Sequence, residues 1–149
     1  MKWLVLIHIM SSIIGIGPTY FGHILFRKRQ QVGELRRSLE LFQILNFFPK
    51  IGGTIAVLSG LLLVWLGGWS FVTFWIIASL ILYIAIQVVA VGLLGPITAK
   101  LQKELNSPKL STEQEIPRES ILLLAKANGL YYTASALGVI LFILMIIKP

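Results

Sequence analysis

Charge is missing from most of this chain, and where it is missing sets the fold. The sequence holds no Asp. Its acidic residues, Glu34, Glu40, Glu104, Glu113, Glu115 and Glu119, fall in two short intervals. Outside those intervals run four apolar stretches, 3–26, 43–66, 71–98 and 120–147. A helix rises about 1.5 Å per residue, so about 20 apolar residues cross the hydrocarbon of a bilayer. Every one of the four meets that length. The chain is therefore expected to be an all-α membrane protein, residues 1–149 forming a single four transmembrane helix bundle. Two antiparallel hairpins build it, with loops 27–42 and 99–119 at one side.

The net charge of +7 is concentrated in those loops. Arg27, Lys28, Arg29, Arg36 and Arg37 lie between the first and second stretches, and Lys100, Lys103, Lys109 and Arg118 between the third and fourth. The other side carries only Lys2 and Lys148, and the hairpin 66–71 is uncharged. Lys and Arg in short loops mark the cytoplasmic side. Both loops are thus expected in the cytoplasm and both termini outside, in a multi-pass protein of the bacterial cytoplasmic membrane. The basic balance reads as a topology signal with some attraction for anionic membrane lipid, and no nucleic acid partner is expected. Lys2 followed by an apolar run imitates a signal peptide. The run is too long, contains two His and lacks a small-residue cleavage pattern, so it reads as a mature helix. Without Cys there are no disulfides, thiolate metal sites or Cys-ligated clusters.

Local signals refine the bundle. Residues 30–40 place Val32, Leu35 and Leu39 at helical spacing, which predicts a cytoplasmic helical extension. Pro49 predicts a bend early in the second span, because proline removes a backbone donor. Gly67-Gly68 predicts a tight outer hairpin flanked by interfacial Trp65 and Trp69. The third span is expected to end near Gly95-Pro96. Thr112-x-x-Glu115 has the form of a capping box before Pro117 opens the fourth span. Gly52, Ala56 and Gly60 recur every fourth residue, a ridge that admits a second helix closely. In the first span His8, Ser11, Gly15, Pro18 and Gly22 share one face, which is expected to line the interior.

A weak internal repeat joins the halves. Lys50-x-Gly-Gly53-x5-Ser59-Gly60 in span two parallels Lys126-x-Asn-Gly129-x5-Ser135-Ala136 in span four. Gly17-Pro18 and Gly95-Pro96 match in spans one and three. A duplicated hairpin and chance matching in Gly- and Leu-rich sequence both account for this.

Polar side chains at membrane depth are costly and often mark sites. Here they are His8, His23, Lys50, Tyr83, Gln87, Lys126 and Asn128, with scattered Ser and Thr. His8 stands about two turns inside the outer face. Its imidazole can ligate haem or metal, with Ser11, Ser12 and Gly15 leaving room for a planar ring, or can simply hydrogen-bond a neighbouring helix. His23 lies about 22 Å further along the helix, too far to share one iron, and reads as a solvated interfacial residue. Lys50 and Lys126 either snorkel to the surface or anchor a carboxylate or phosphate of an amphiphile. Tyr83 and Gln87 are placed to hydrogen-bond Asn128 or Tyr132 across the bundle. No span contains a carboxylate, and no Walker loop, dinucleotide fingerprint or Ser/His/Asp set is present. Two His without Cys, Asp or intramembrane Glu make a poor zinc site. What survives is binding, or electron transfer by a cofactor carrying its own chemistry.

The motif His8-x2-Ser11-x3-Gly15-x-Gly17-Pro18, with Lys50-x2-Gly53-x5-Ser59-Gly60, resembles a bacterial group of four-span membrane proteins catalogued as domain of unknown function 2269. The chain is more distantly similar to the haem-containing membrane protoporphyrinogen oxidases and to the copper-resistance D domain. The first likeness rests on His8, Phe48-Pro49 and Lys148-Pro149. The oxidase resemblance implies haem b ligated by the first-span histidine, and an oxidoreductase of that type if the chain is an enzyme. It also implies a third-span lysine, which this chain lacks before Lys100. The copper likeness implies metal handling, for which three Met and two His are few. The resulting expectation is a haem b site at His8, Ser11 and Gly15 with Lys50 or Lys126 as propionate partners. It would serve electron transfer to a quinone or porphyrin handling, and a homodimer could supply a second His8. The alternative is a cofactor-free membrane scaffold or transport accessory binding lipid or another membrane protein.

Overall fold

The computed structural model describes residues 1–27 and 31–149, Pro18 by its backbone alone. The Lys28-Arg29 part of the basic run and Gln30 lie outside the described residues. Helix α1 (Lys2–Ile16) passes through a 3-10 turn (Gly17–Phe21) into α2 (Gly22–Leu25). Helix α3 (Val32–Leu45) turns at Asn46 into α4 (Phe47–Leu66). Helix α5 (Phe74–Gln87) widens into a π-helical stretch (Val88–Leu94) and continues as α6 (Gly95–Leu105), while α7 (Arg118–Ile147) is unbroken. Four runs, Lys2–Leu25, Val32–Leu66, Phe74–Leu105 and Arg118–Ile147, are long and apolar enough to cross a membrane. This is the expected all-α bundle of four apolar helices, their large apolar side chains turned outward as lipid demands.

Each irregularity sits beside a proline. A proline offers no N–H to the carbonyl four residues earlier, and hydrocarbon supplies no water to replace it. At Pro18 the chain tightens to the 3-10 turn. At Pro49 the chain breaks at Asn46, so that the proline falls in the first turn of α4, where no donor is required. The bend expected near Pro49 thus lies three residues earlier. At Pro96 the preceding turn widens to the π form and the helix then runs on to Leu105, past the Gly95-Pro96 end expected from sequence. Helix α7 has no proline within it and runs 30 residues without interruption.

The helices pair as two hairpins. In the first, α1 lies against α4 at backbone distance. A Cβ built on Gly52 would stand 2.6 Å from the Gly15 Cα, and one on Gly15 would stand 2.8 Å from the Gly53 nitrogen. The small-residue ridge of the second span therefore receives the small-residue stripe of the first. In the second hairpin α5 packs on α7, with Val64, Trp75 and Ile76 joining the pairs near the termini. There Trp65 and Trp69 are exposed, as interfacial anchors should be, and Gly68 takes a positive φ of 70° in the turn.

The main core lies at the opposite end, where α2, α3, α6 and the start of α7 meet. Phe26, Val32, Leu35, Leu39, Leu101, Leu105 and Leu124 are all at most 2% exposed there. The helical extension read from Val32, Leu35 and Leu39 is thus α3, packed face-down on this core. Its first N–H groups are satisfied by the other loop: Val32 donates to the Gln114 carbonyl (3.1 Å) and Gly33 to that of Thr112 (3.0 Å). Gln31 and Glu34 form the capping box at this helix start. The 112–115 segment, expected to cap its own turn, caps α3 instead. Arg36 closes the other side, its guanidinium donating to the Leu105 carbonyl (2.7 Å) and the Leu110 carbonyl (3.2 Å).

Overpacking a site with no slack costs about 1–3 kcal/mol. Gly52→Ala is expected to lower the thermal midpoint in detergent by several degrees. Gly129→Ala, where a Cβ meets nothing within 4 Å, serves as the control and should leave it unchanged.

Candidate functional site

Two imidazoles enter the apolar bundle, and each meets a serine of the proposed repeat. His8 is half-buried between α1 and α4, its Nδ1 2.8 Å from the Ala56 carbonyl oxygen and 3.3 Å from Ser59 Oγ. A carbonyl only accepts, so Nδ1 carries a proton, and in the neutral ring Nε2 holds the lone pair. No hydrogen bond among the described residues engages Nε2. The ring rests on Gly60, where an added Cβ would stand 2.9 Å from the His8 Cε1. Ser11 and Ser12 turn their hydroxyls back to the His8 carbonyl, at 3.0 and 2.7 Å. Gly15, expected to leave room for a planar ring, is filled by the α4 backbone. No room for a planar ring is left on the Gly15 side of His8.

His23 departs further from expectation. Instead of facing water at the boundary, it is half-buried, stacked on Tyr132 (ring centroids 3.8 Å apart, planes 19°) and edge-on to Tyr131 at 5.2 Å. Its Nε2 lies 3.4 Å from Ser135 Oγ, while Nδ1 is buried without a partner among the described residues. Tyr131 reaches this position because Gly22 has no side chain to block it. Asn128 lies on the same face of α7, one turn before Tyr131 and Tyr132, and its Oδ1 is likewise buried with no partner among the described residues. No hydrogen bond among the described residues joins Tyr83 or Gln87 to Asn128 or Tyr132. Tyr83 instead covers Gly53 of α4.

The lysines are not brought together. Lys50 and Lys126 are both exposed. Lys50 lines a cleft between α4 and α6. Gly138 of α7 lies beside Ile16, so the rise from His8 to Ile16 on the first span together with that from Gly138 to Lys126 on α7 sets Lys126 about 30 Å along the axis from His8. No single porphyrin ligated at His8 reaches it. The repeat is only partly reproduced: Ser59 and Ser135 are both buried against a histidine, whereas Gly53 is packed and Gly129 faces open space.

This architecture, four apolar helices with polar groups held between them, is that of a multi-pass integral membrane protein. The family model described as "Predicted integral membrane protein (DUF2269)" matches residues 2–149, and the chain belongs to that family. No curated protein and no solved structure matches it.

The burial of an unpaired amide oxygen costs about 1–3 kcal/mol, and an apolar replacement of similar shape removes the cost. Asn128→Leu is accordingly expected to hold or raise the thermal midpoint. A fall of five degrees or more, measured against wild type in the same detergent, would show that the amide is satisfied.

Proposed function

We propose that this protein binds haem b within the bacterial cytoplasmic membrane, and that His8 is the residue that would hold its iron. Its role is electron transfer to a quinone, or porphyrin handling. The observation that carries this reading is the His8 tautomer. A proton fixed on Nδ1 by the Ala56 carbonyl both orients the ring and leaves Nε2 as a ligand, the arrangement by which proteins prepare an imidazole for a metal. Among the described residues no three His, Cys, Asp or Glu gather to hold a metal ion, so an iron at His8 has to bring most of its ligands with it, as a porphyrin does. Bound haem supplies one-electron redox chemistry. The chain supplies the apolar surround, the oriented imidazole and the exclusion of water. Lys126 takes no part in such a site. The loop end, rich in Lys and Arg, faces the cytoplasm in this reading, and both termini face outward.

A second reading has its own support. The Nδ1 bond to Ala56 and the seat on Gly60 are sufficient to hold α1 on α4 with no cofactor, which is what a membrane scaffold or transport accessory requires.

The readings separate in one purified sample from haem-replete cells. Haem binding predicts a Soret band that is lost in His8→Asn and kept in His23→Ala. Asn retains a donor for the Ala56 carbonyl, so the thermal midpoint should move by only a few degrees while the colour disappears. Colourless wild-type protein sinks the haem reading and leaves the scaffold.

A further inference from the structure

Two clefts open side by side where α3 turns into α4, and they share Gln43. The inner one, about 350 Å³, is bordered by Gln43, Asn46, Lys50, Thr98 and Gln102. The outer one, about 610 Å³, is bordered by Glu40, Ile44, Phe47 and Phe48.

The polar groups of the inner cleft are mostly donors. Gln43 Nε2 donates to Gln102 Oε1 at 2.5 Å, which commits that acceptor and leaves the Gln102 amide N–H groups free. The Thr98 hydroxyl is turned to the carbonyls of Leu94 and Gly95. Lys50 forms no ion pair among the described residues, and the Asn46 side chain forms no hydrogen bond there. No carboxylate borders this cleft; Glu40 borders its neighbour. An ammonium and two amides with uncommitted N–H groups, unopposed by an acid, suit an anion.

The location adds the second requirement. The clefts sit where the amphipathic α3 gives way to the apolar α4; the 20 residues of α4 by themselves match the roughly 30 Å of bilayer hydrocarbon, which puts its start at the level of lipid headgroups. Phe47 and Phe48, 59% and 38% exposed, begin the apolar side directly beside them. An anion bound here would carry its apolar portion onto those rings.

We infer that this pair of clefts is a binding site for one glycerophospholipid, its phosphodiester held by Lys50, Asn46 and Gln102 and the start of its acyl chains laid on Phe47 and Phe48. The inference rests on the clefts alone and stands or falls independently of haem at His8.

Native mass spectrometry of delipidated, full-length protein tests it, with palmitoyl-oleoyl phosphatidylglycerol, the diacylglycerol of the same chains, and inorganic phosphate as probes. The expected result is one tightly retained phospholipid per chain, with the diacylglycerol and inorganic phosphate each bound at least tenfold more weakly. Lys50→Gln should reduce phospholipid retention at least fivefold, and Lys126→Gln, at a lysine also exposed but on another helix, should not. If Lys50→Gln fails to fold, Gln102→Ala is read in its place and should lower retention in the same direction. Equal losses in the two lysine variants, or diacylglycerol binding as well as phospholipid, would overturn the site by showing unspecific annular lipid. Inorganic phosphate binding as tightly would overturn the lipid assignment.

Discussion

Hydrocarbon offers a backbone no substitute partner for a lost hydrogen bond, and this constraint shapes each span of the protein. Three of the four spans carry a proline toward the loop end, and each one answers the missing donor in a different way. The first tightens to a 3-10 turn, the second breaks at Asn46, and the third widens into a π stretch before Gly95-Pro96. These irregularities fall toward the loop end, so the halves of the spans nearer the termini stay regular. The backbone contact of α1 and α4 at Gly15 and Gly52 lies within two turns of the first two of these sites, where neither helix carries a side chain to hold them apart.

The close crossing in turn presents His8 to the second span. Because α1 and α4 are so near, the imidazole reaches a backbone carbonyl, Ala56, that its own helix leaves exposed along the small-residue ridge. The tautomer follows from this geometry, and with it the free Nε2. Further down, the spacing of α2 and α7 is set by an aromatic, Tyr131 against Gly22, and His23 is drawn in between Tyr131 and Tyr132. One span thus carries two imidazoles in different surroundings: His8 with its Nδ1 bonded to a carbonyl of α4, and His23 with a buried Nδ1 that no described residue engages.

The best-packed part of the molecule is the loop end. Lipid is as apolar as a leucine side chain, so burying leucines between spans at membrane depth gains little, whereas burying them next to water gains the full hydrophobic contribution. Leu35, Leu101, Leu105 and Leu124 are accordingly the most completely enclosed of the described leucines. The two charged loops are locked together there through Arg36 and through the carbonyls of Thr112 and Gln114, and the lock fixes α3 beside α6 and opens the clefts at Lys50.

The four apolar runs, the amphipathic face of α3 and the small-residue ridges were all legible in the sequence, because each depends on local composition and a fixed helical period. Proline positions told where helices would be disturbed but not how, since the response depends on what packs around the freed carbonyl. The histidines were visible as costly residues, yet their partners were not. That His8 meets Ala56, that His23 lies under Tyr132 and not in water, and that Lys126 is remote from His8 are consequences of how the helices cross and at what height. A linear chain fixes which residues can face inward. Only the packing of one helix against another fixes which of them touch.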